Sequence, residues 1–266
     1  MFDFQTFITT IGSVDSGAGS GSIPPAGSVA RTLECPGTGV KYLRYTGDPG
    51  PQLGSGDFSI TFFMRPTFLA NLGETREVFG SGTFDLGNEA SSYFRFYVVS
   101  TGFNKLGMTL SSGTTYYTKE TAISSLTDNT WHFVSATYNA TTDVLSLSIN
   151  RAAAVTLTSV PSPVDATQDF RIAAAGLSTG NNPFQGQISS IGIWSRILTS
   201  LELDEVYNSG DGKLFAGLAA GTQVGCVNYW ELDELSDGSG QVSRIASAGT
   251  IDMEDSGSLA SSTQVP

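Results

Sequence analysis

The chain has 266 residues, of which 14% are charged and 31 are glycine, and its formal net charge at pH 7 is −12. This excess of negative charge argues against binding nucleic acid or an anionic membrane through electrostatic attraction. The length allows one large all-β domain or two small ones, and the glycines suit many short strands joined by tight turns.

The first 28 residues are loosely patterned and end in the turn-rich stretch GAGSGSIPPAG, so we interpret residues 1–28 as an N-terminal arm or linker. The opening MFDFQTFITTIG has neither a basic region nor a long apolar core, which argues against a secretory signal. No run approaches the ~18 apolar residues that a membrane-spanning helix needs. We therefore expect a protein that stays in the cytosol or is released inside a virus particle.

Ten short segments of β type follow, separated by Gly, Asn, Asp and Pro. Strands of this length and spacing predict an all-β fold, an antiparallel sandwich of two sheets. The segments are VKYLRY (40–45), FSITFFMRP (58–66), REVFGSG (76–82), YFRFYVVS (93–100), KLGMTLSS (105–112), TTYYTKE (114–120), WHFVSATYN (131–139), VLSLSIN (144–150), DFRIAAA (169–175) and QISSIGIWSR (187–196).

Side chains alternate between the two faces of a strand, which indicates the buried faces. Phe58, Ile60 and Phe62 share one face of their segment. The segments that contain Trp131 and Trp194 combine large aromatic and β-branched residues on their inward faces, so we predict that these two strands form the core of the sandwich. On this interpretation, Trp131→Ala would destabilise the fold by about 3–5 kcal/mol.

One stretch, LTSLELDEVYNSGDG, breaks the strand period and predicts a short helix near residues 199–208. Thr199 is placed to cap its start, and Glu202 follows three residues later, as in a capping box. Gly210 follows the predicted end, where glycine commonly terminates helices.

A last apolar segment, CVNYWELDELSDGSGQ, begins at Cys226. In an extended strand, Tyr229 and Glu231 share one face, and Trp230 and Leu232 share the other. That arrangement is typical of a half-buried strand, so we predict a structural role for Trp230.

The order of these blocks closely resembles the laminin-G-like modules of the concanavalin A-like lectin/glucanase superfamily, of the type found in phage and bacterial surface proteins. The specific parts are the Trp131 strand, the pattern F-x-G-x-I-x-x-I-x-I-W at 184–194, and the helix pattern R-x-L-T-x-x-E-x-x-x-x-Y. The resemblance covers residues 30–212 and implies a two-sheet antiparallel jelly roll, with the module at residues 29–222.

The order of the pieces departs from the related modules, in which a strand of the type YW-x-LDE comes first. Here that strand follows the helix, as if the module had been permuted. The stretch TIDMEDSGSLASS (250–262) also resembles TIGSVDSGAGS (10–20). Because a missing strand would leave an unpaired sheet edge, we predict that residues 223–266 complete the sandwich, in their own chain or by donating the strand to a neighbouring copy.

The carboxylates of this strand raise two hypotheses about chemistry. Family-16 glycoside hydrolases share the fold and use the pattern E-x-D-x-x-E, to which Glu231 and Asp233 conform while Ser236 replaces the third carboxylate. A retaining glycosidase needs two carboxyl groups, so we predict no catalytic activity. Some family members bind Ca²⁺, for which Asp233 and Asp237 are the weak candidates. The chain lacks a D-x-D-x-D-G loop, and we predict no cofactor.

The remaining candidate residues point to packing. His132 lacks an accompanying G-x-S-x-G nucleophile motif, so we interpret it as a strand residue with a local hydrogen-bond partner. Cys35 and Cys226 either pack as separate thiols or, if their strands are neighbours, approach within disulfide range. Six aromatic residues in two segments could stack on sugars, although more of them are expected in the core: Tyr93, Phe94, Phe96, Tyr97, Tyr116 and Tyr117.

Three functions remain open at this point. The first is a non-catalytic structural or attachment protein of a virion, such as a phage decoration or tail-associated subunit. Its partners would be other virion subunits or copies of itself. The second is a glycan-binding, lectin-like surface module, and the third is a glycoside hydrolase. The fold carries all three classes, so the resemblance does not select among them.

Overall fold

The computed structural model describes residues 32–37, 42–45, 51–67, 75–82, 92–100, 104–164, 170–174, 182–232, 243–244, 246–249, 251, 253–256 and 261–262. The described strands are β1 (Thr32–Pro36), β2 (Tyr42–Tyr45), β3 (Phe58–Pro66), β4 (Thr75–Gly82), β5 (Ser92–Val99), β6 (Lys105–Ser111), β7 (Tyr116–Glu120), β8 (His132–Asn139), β9 (Val144–Ile149), β10 (Val155–Leu157), β11 (Phe170–Ile172), β12 (Asn182–Pro183), β13 (Gln185–Trp194), β14 (Cys226–Trp230), β15 (Ser243–Arg244), β16 (Met253–Ser256) and β17 (Ser261–Ser262). The described helices are α1 (Ser200–Tyr207) and α2 (Ala220–Gln223), with single 3₁₀ turns at Asn208–Gly210 and Phe215–Gly217.

The strands form two sheets. Sheet A has the order β10-β9-β8-β3-β13-β1-β17, and β14 also pairs with β13. Sheet B has the order β15-β16-β2-β11-β4-β5-β6-β7, and β12 also pairs with β4. Among the described pairs, only β12 and β4 run parallel. The predicted all-β, two-sheet antiparallel sandwich with one short helix near 199–208 is confirmed.

The main core lies between the inner faces of the two sheets. Phe62 of sheet A meets Phe79 and Phe96 of sheet B with ring centroids 4.8 and 4.9 Å apart, near the edge-to-face geometry that aromatic pairs prefer. Phe58 and Ile60 are also fully buried here, as the alternation of their strand predicts.

A second apolar cluster covers the outer face of sheet A, under α1 and residues 212–224. Its buried members are Phe63, Phe133, Trp194, Leu198, Leu203, Val206, Leu218 and Tyr229, and Trp131 packs against it half-buried. The segments of both tryptophans form inner strands of sheet A, β8 and β13, which contribute to the main core as predicted, and Trp194 is fully buried. The two indole rings lie on the outer face, however, and Trp131 is only half-buried, so its predicted inward position is wrong. Sheet A is apolar on both faces at this point, so strand alternation alone did not tell which face meets sheet B.

Helix α1 is anchored by its first turn. Thr199 is the N-cap and forms the predicted capping box with Glu202, whereas Asn208, not Gly210, adopts the left-handed C-cap conformation with φ 46°. Both carboxylate oxygens of Glu202 accept hydrogen bonds from Arg196, at 2.7 and 2.9 Å. This contact with the Arg196 guanidinium lowers the pKa of Glu202 to about 2. The helix is thereby tied to the end of β13.

The strands after residue 222 pair within the same chain in this structure. Strand β14 pairs with β13, β16 with β2, and β17 with β1. Because β3 occupies the other edge of β13 over most of its length, β1 and β14 share one edge of β13, end to end.

The division of the chain at residues 28 and 222 stays a prediction. None of the helices in the described ranges is long and apolar enough to cross a membrane.

Candidate ligand-binding face

The YWELDE strand has a structural role at its described residues. Trp230 and Leu232 are fully buried in the main core, and Tyr229 lies in the second cluster on the opposite face. The Glu231 side chain accepts a hydrogen bond from the Phe215 backbone N–H at 2.9 Å, which fixes the segment that covers sheet A. Asp233, Glu234, Ser236 and Asp237 lie outside the described residues, so the Ca²⁺ candidates stay a prediction.

His132 is also explained by local structure. It is buried as the first residue of β8, and its Nε2 accepts a hydrogen bond from the Thr127 N–H at 3.0 Å. Burial lowers the pKa of this imidazole, which favours the neutral form that such an acceptor requires. The interpretation as a strand residue with a local partner is confirmed.

The two cysteines are far apart. Cys35 pairs with Gly186 near the start of β13, and Cys226 pairs with Trp194 at its end. At about 3.3 Å per residue, these positions lie on the order of 25 Å apart, whereas a disulfide needs Cα atoms within about 7 Å. Neither cysteine forms a disulfide. Of the two alternatives, the structure shows separate thiols. The alternative that they approach within disulfide range is wrong because β1 and β14 lie end to end rather than side by side.

The aromatic residues divide as expected between core and surface. Phe94 and Phe96 are fully buried in the main core, and Tyr117 packs against its edge. Tyr97 lies on the outer face of sheet B, and Tyr116 is half-buried on β7. The side chain of Tyr93 lies outside the described residues. Tyr97 is buried on the face of sheet B and donates a hydrogen bond to Glu120.

A row that includes three arginines crosses the outer face of sheet B. In register from β2 to β7 it contains Arg44, Arg171, Gly80, Arg95, Thr109 and Thr118. Glu254 of β16 lies in register beside Arg44, and Arg171 and Thr109 are buried. We call the set from Arg44 to Thr118 the arginine row. Its neighbours along each strand, such as Leu43, Phe170 and Phe96, point into the main core, so the row faces away from the core. A Cβ at Gly80 would meet the Phe94 carbonyl oxygen at 2.5 Å, which requires glycine between Arg171 and Arg95.

A second row on the same face lies beside the first and contains Glu77, Tyr97, Gly107 and Glu120. The Tyr97 ring lies across Gly107, where a Cβ would collide with it, and its hydroxyl donates to Glu120 at 3.2 Å. Lys105 forms an ion pair with Glu120 at 3.0 Å. Burial raises the pKa of Tyr97, so the phenol remains a neutral hydrogen-bond donor.

Arg95 and Glu77 join the two rows. Arg95 Nη1 lies 2.6 Å from Glu77 Oε1, and the Arg95 guanidinium lies 4.8 Å from the Tyr97 ring centroid. The Glu77 side chain is 5% exposed, whereas that of Arg95 is 25% exposed. Burial, only partly offset by Arg95, raises the pKa of Glu77 to about 7. On the other side of Gly80, the Arg171 guanidinium lies 4.9 Å from the Tyr42 ring centroid.

Two clefts lie elsewhere, beside strands of sheet A. One of about 450 Å³ is lined by Glu34, Cys35, Pro36, Arg65, Thr67, Gln185, Gly186 and Gln187, and one of about 250 Å³ by Ser135, Thr137, Ser146, Ser148, Arg151, Ala152, Ala154 and Leu203. Neither wall contains an aromatic ring, and the arginine of each is already held, Arg65 by Gln187 and Arg151 by Asp204. On sheet B, Arg95 is also held by an ion pair, with Glu77, but its side chain is 25% exposed and lies beside the Tyr97 ring. Within the described residues, no group of three His, Cys, Asp or Glu side chains is placed to hold a metal ion.

Comparisons with solved structures identify similar folds. A candidate carbohydrate-binding protein from Bacteroides ovatus matches with a TM-score of 0.61 and 16% identity, over 88% of this chain and 60% of its own. The carbohydrate-binding module CBM40 of the Ruminococcus gnavus IT-sialidase, bound to α2,3-sialyllactose, matches with a TM-score of 0.51 and 18% identity, over 66% of this chain and 97% of its own. A heptameric SAP-like pentraxin from Limulus polyphemus matches with a TM-score of 0.50 and 16% identity, over 67% and 82%. At these identities the likeness concerns the fold alone.

Sequence comparisons identify the family. The curated proteins contain no significant match to this chain. A family model of the laminin G type matches residues 40–204. The family is described as the concanavalin A-like lectin/glucanases superfamily. The matched region includes the strands from β2 to β13 and most of α1. The chain therefore belongs to the concanavalin A-like lectin/glucanase superfamily.

Proposed function

We propose that this protein is a non-catalytic glycan-binding module that holds its ligand on the outer face of sheet B. The observation that carries the proposal is Arg95, whose side chain is 25% exposed on this face and lies 4.8 Å from the centroid of the buried Tyr97 ring. Sugars offer hydroxyl groups, and a charged donor of this kind suits them. The B. ovatus and R. gnavus proteins, whose descriptions refer to carbohydrate binding, share the fold and support the proposal.

Glycan binding should depend on Arg95. A charge-assisted hydrogen bond contributes about 1.5–3 kcal/mol, so Arg95→Gln should weaken binding about tenfold or more. Arg151→Gln is the matched control, because Arg151 also forms an ion pair, with Asp204 at 2.7 Å, but lies beside α1 on sheet A. A glycan array followed by titration calorimetry of the best ligand measures both variants. Equal loss in the two variants, or binding unaffected by Arg95→Gln, would place the ligand elsewhere.

We expect no hydrolysis of polysaccharides. The Glu231 carboxylate is held by the Phe215 N–H, and Ser236 replaces the third carboxylate of the glycosidase pattern. With β-glucans and galactans, the wild-type protein should release no more reducing ends than Glu231→Gln. Reducing ends that appear with the wild type and disappear with Glu231→Gln would show that the protein is an enzyme.

A role in a virion remains a prediction that rests on the sequence alone. Glycan binding is compatible with it, since attachment to a cell surface often proceeds through sugars. Mass spectrometry that compares purified virus particles with host cytosol would show in which of the two the protein is found.

Closure of the sandwich by the protein's own residues 223–266 is the arrangement we propose, because β14, β16 and β17 all pair with strands of their own chain.

A further inference from the structure

Four hydroxyl side chains form a patch on the outer face of sheet A, next to the second cluster. Ser135 pairs in register with Ser148, and Thr137 pairs with Ser146, so the four residues form a rectangle on β8 and β9. Leu147, between the two serines of β9, points into the main core, and the rectangle therefore faces outward. At about 4.8 Å between strands and roughly 6.7 Å between alternate residues, the rectangle has the size of one small cyclic molecule.

The four residues line the cleft of about 250 Å³ beside α1. Its inner end is closed, since Ser135 is 4% exposed, Ser148 is 7% exposed and Leu203 of α1 is 8% exposed. Its mouth is open, since Thr137 and Ser146 are only half-buried. The cleft is smaller than the pockets of ~300–1,000 Å³ that hold drug-sized ligands, but several times larger than the ~30 Å³ share of one water molecule. It has room for one small ligand.

Most of these hydroxyls have no partner in the protein. The Ser148 hydroxyl donates to the Ala152 carbonyl at 2.6 Å. The hydroxyls of Ser135, Thr137 and Ser146 form no hydrogen bond with the residues that the structure describes. Buried polar groups without a partner are uncommon in folded proteins, and Ser135 is buried. Each of the three hydroxyls can both donate a hydrogen bond to a ligand and accept one from it.

The charge in the wall of the cleft is already compensated. Arg151 is the one charged residue among the described residues that line it. Its Nε donates to Asp204 Oδ1 at 2.7 Å, and its Nη2 donates to Ser200 Oγ at 2.8 Å. This ion pair, in a chain of formal net charge −12, does not favour an anion. An apolar ligand would remove the hydroxyls from water without giving them partners. The wall therefore suits a neutral ligand that carries hydroxyl groups.

Resting on the proposed glycan-binding function, we infer that this cleft is a second binding site, which takes one neutral sugar unit. Hydroxyl groups of the sugar form hydrogen bonds with Ser135, Thr137 and Ser146. Leu203 at the closed end contacts the C–H groups of the ring, and Arg151 keeps its ion pair. The site lies on sheet A and uses none of the residues of the face on sheet B.

Titration of the full-length protein with the methyl glycosides of glucose, galactose and mannose, followed by NMR, tests this inference. These probes are neutral and contain one ring. We expect at least one of them to bind and to shift the backbone amide signals of Ser135, Thr137 and Ser146. Thr137→Val removes one hydroxyl but keeps the branched shape, so it should weaken binding about fivefold.

Thr156→Val is the matched control. Thr156 is exposed on β10, in register beside Ser146, but does not line the cleft. It should bind the probes as the wild type does. Ser146→Leu places a larger side chain in the mouth of the cleft and should abolish binding, which keeps the test decisive if Thr137→Val does not fold.

The outcomes separate the two proposals. Absence of binding to all three glycosides, or binding that neither Thr137→Val nor Ser146→Leu weakens, would overturn the second site. A loss with Thr156→Val as large as that with Thr137→Val would also overturn it. None of these results affects the proposed function, which fails only if glycan binding does not depend on Arg95.

Discussion

A chain that ends at Thr222 is expected to aggregate or to unfold at a much lower temperature than the full-length protein. The truncation removes β14 from residues 191–194 of β13, β16 from β2 and β17 from β1. It also removes Trp230, which is fully buried in the main core. Unpaired strand edges beside an open core favour association with other chains. Size-exclusion chromatography and thermal melting measure the effect.

Two controls make this truncation interpretable. A chain that ends at residue 262 removes none of the described strands and should behave as the full-length protein does. Adding a peptide of residues 223–266 to the shorter chain should restore solubility and stability. If the chain that ends at Thr222 stays soluble and equally stable, residues 223–266 are a separate appendage.

Trp230→Ala should destabilise the protein by about 3–5 kcal/mol, as is typical of a buried tryptophan. The Trp230 ring stacks on Phe170 with centroids 5.4 Å apart, and its Nε1–H donates to the Ile251 carbonyl at 2.6 Å. The substitution leaves a cavity and a buried carbonyl that has lost its donor. The free energy of unfolding, measured by urea denaturation, gives the size of the effect.

Trp131→Ala is the matched comparison, because it removes the same side chain from a half-buried position. Trp131 packs at the edge of the second cluster, so we expect a smaller loss of about 1–2 kcal/mol. This value revises the larger loss that the sequence pattern suggests. A loss for Trp131→Ala as large as that for Trp230→Ala would contradict the assignment of Trp131 to this cluster edge.

Much of the strand pattern is predictable from local sequence. The segment FSITFFMRP coincides with β3 (Phe58–Pro66), and the Thr199 capping box places the start of α1. Both features depend on neighbouring residues alone: alternation with a period of two, and a cap with its partner three residues away. Features of this kind can be predicted without knowing what packs against them.

The second cluster was missed for a physical reason. Phe63 and Phe133 lie on the outer face of sheet A, where their centroids are 5.0 Å apart, and residues 212–224 cover them without any periodic pattern of their own. A strand covered on both faces is apolar on both, as IGIW (191–194) is. An apolar run of this type is the sequence signal from which a strand covered on both faces could have been predicted.

The candidate ligand-binding face could not be found from the sequence. The row from Arg44 to Thr118 takes its residues from six neighbouring strands. Arg171 is distant in sequence from Arg44 and Gly80, the two residues beside it in the row. Their alignment depends on the sheet order and on the register of each pair, which long-range packing determines. The basic residues are also too dispersed in the sequence to form a recognisable cluster.

The shared edge of β13 has a consequence for how fast the protein folds. Positions 185–188 of that edge pair with β1 and positions 191–194 with β14, and β1 itself pairs with β17. The sheet thus joins residues from opposite ends of the chain, and such distant pairing is slow because a long loop must close before its contacts form. During synthesis, Ile191, Ile193 and Trp194 lack their β14 partners until Cys226–Trp230 has left the ribosome. Recovery of native protein should therefore depend on dilution and on chaperones during that interval.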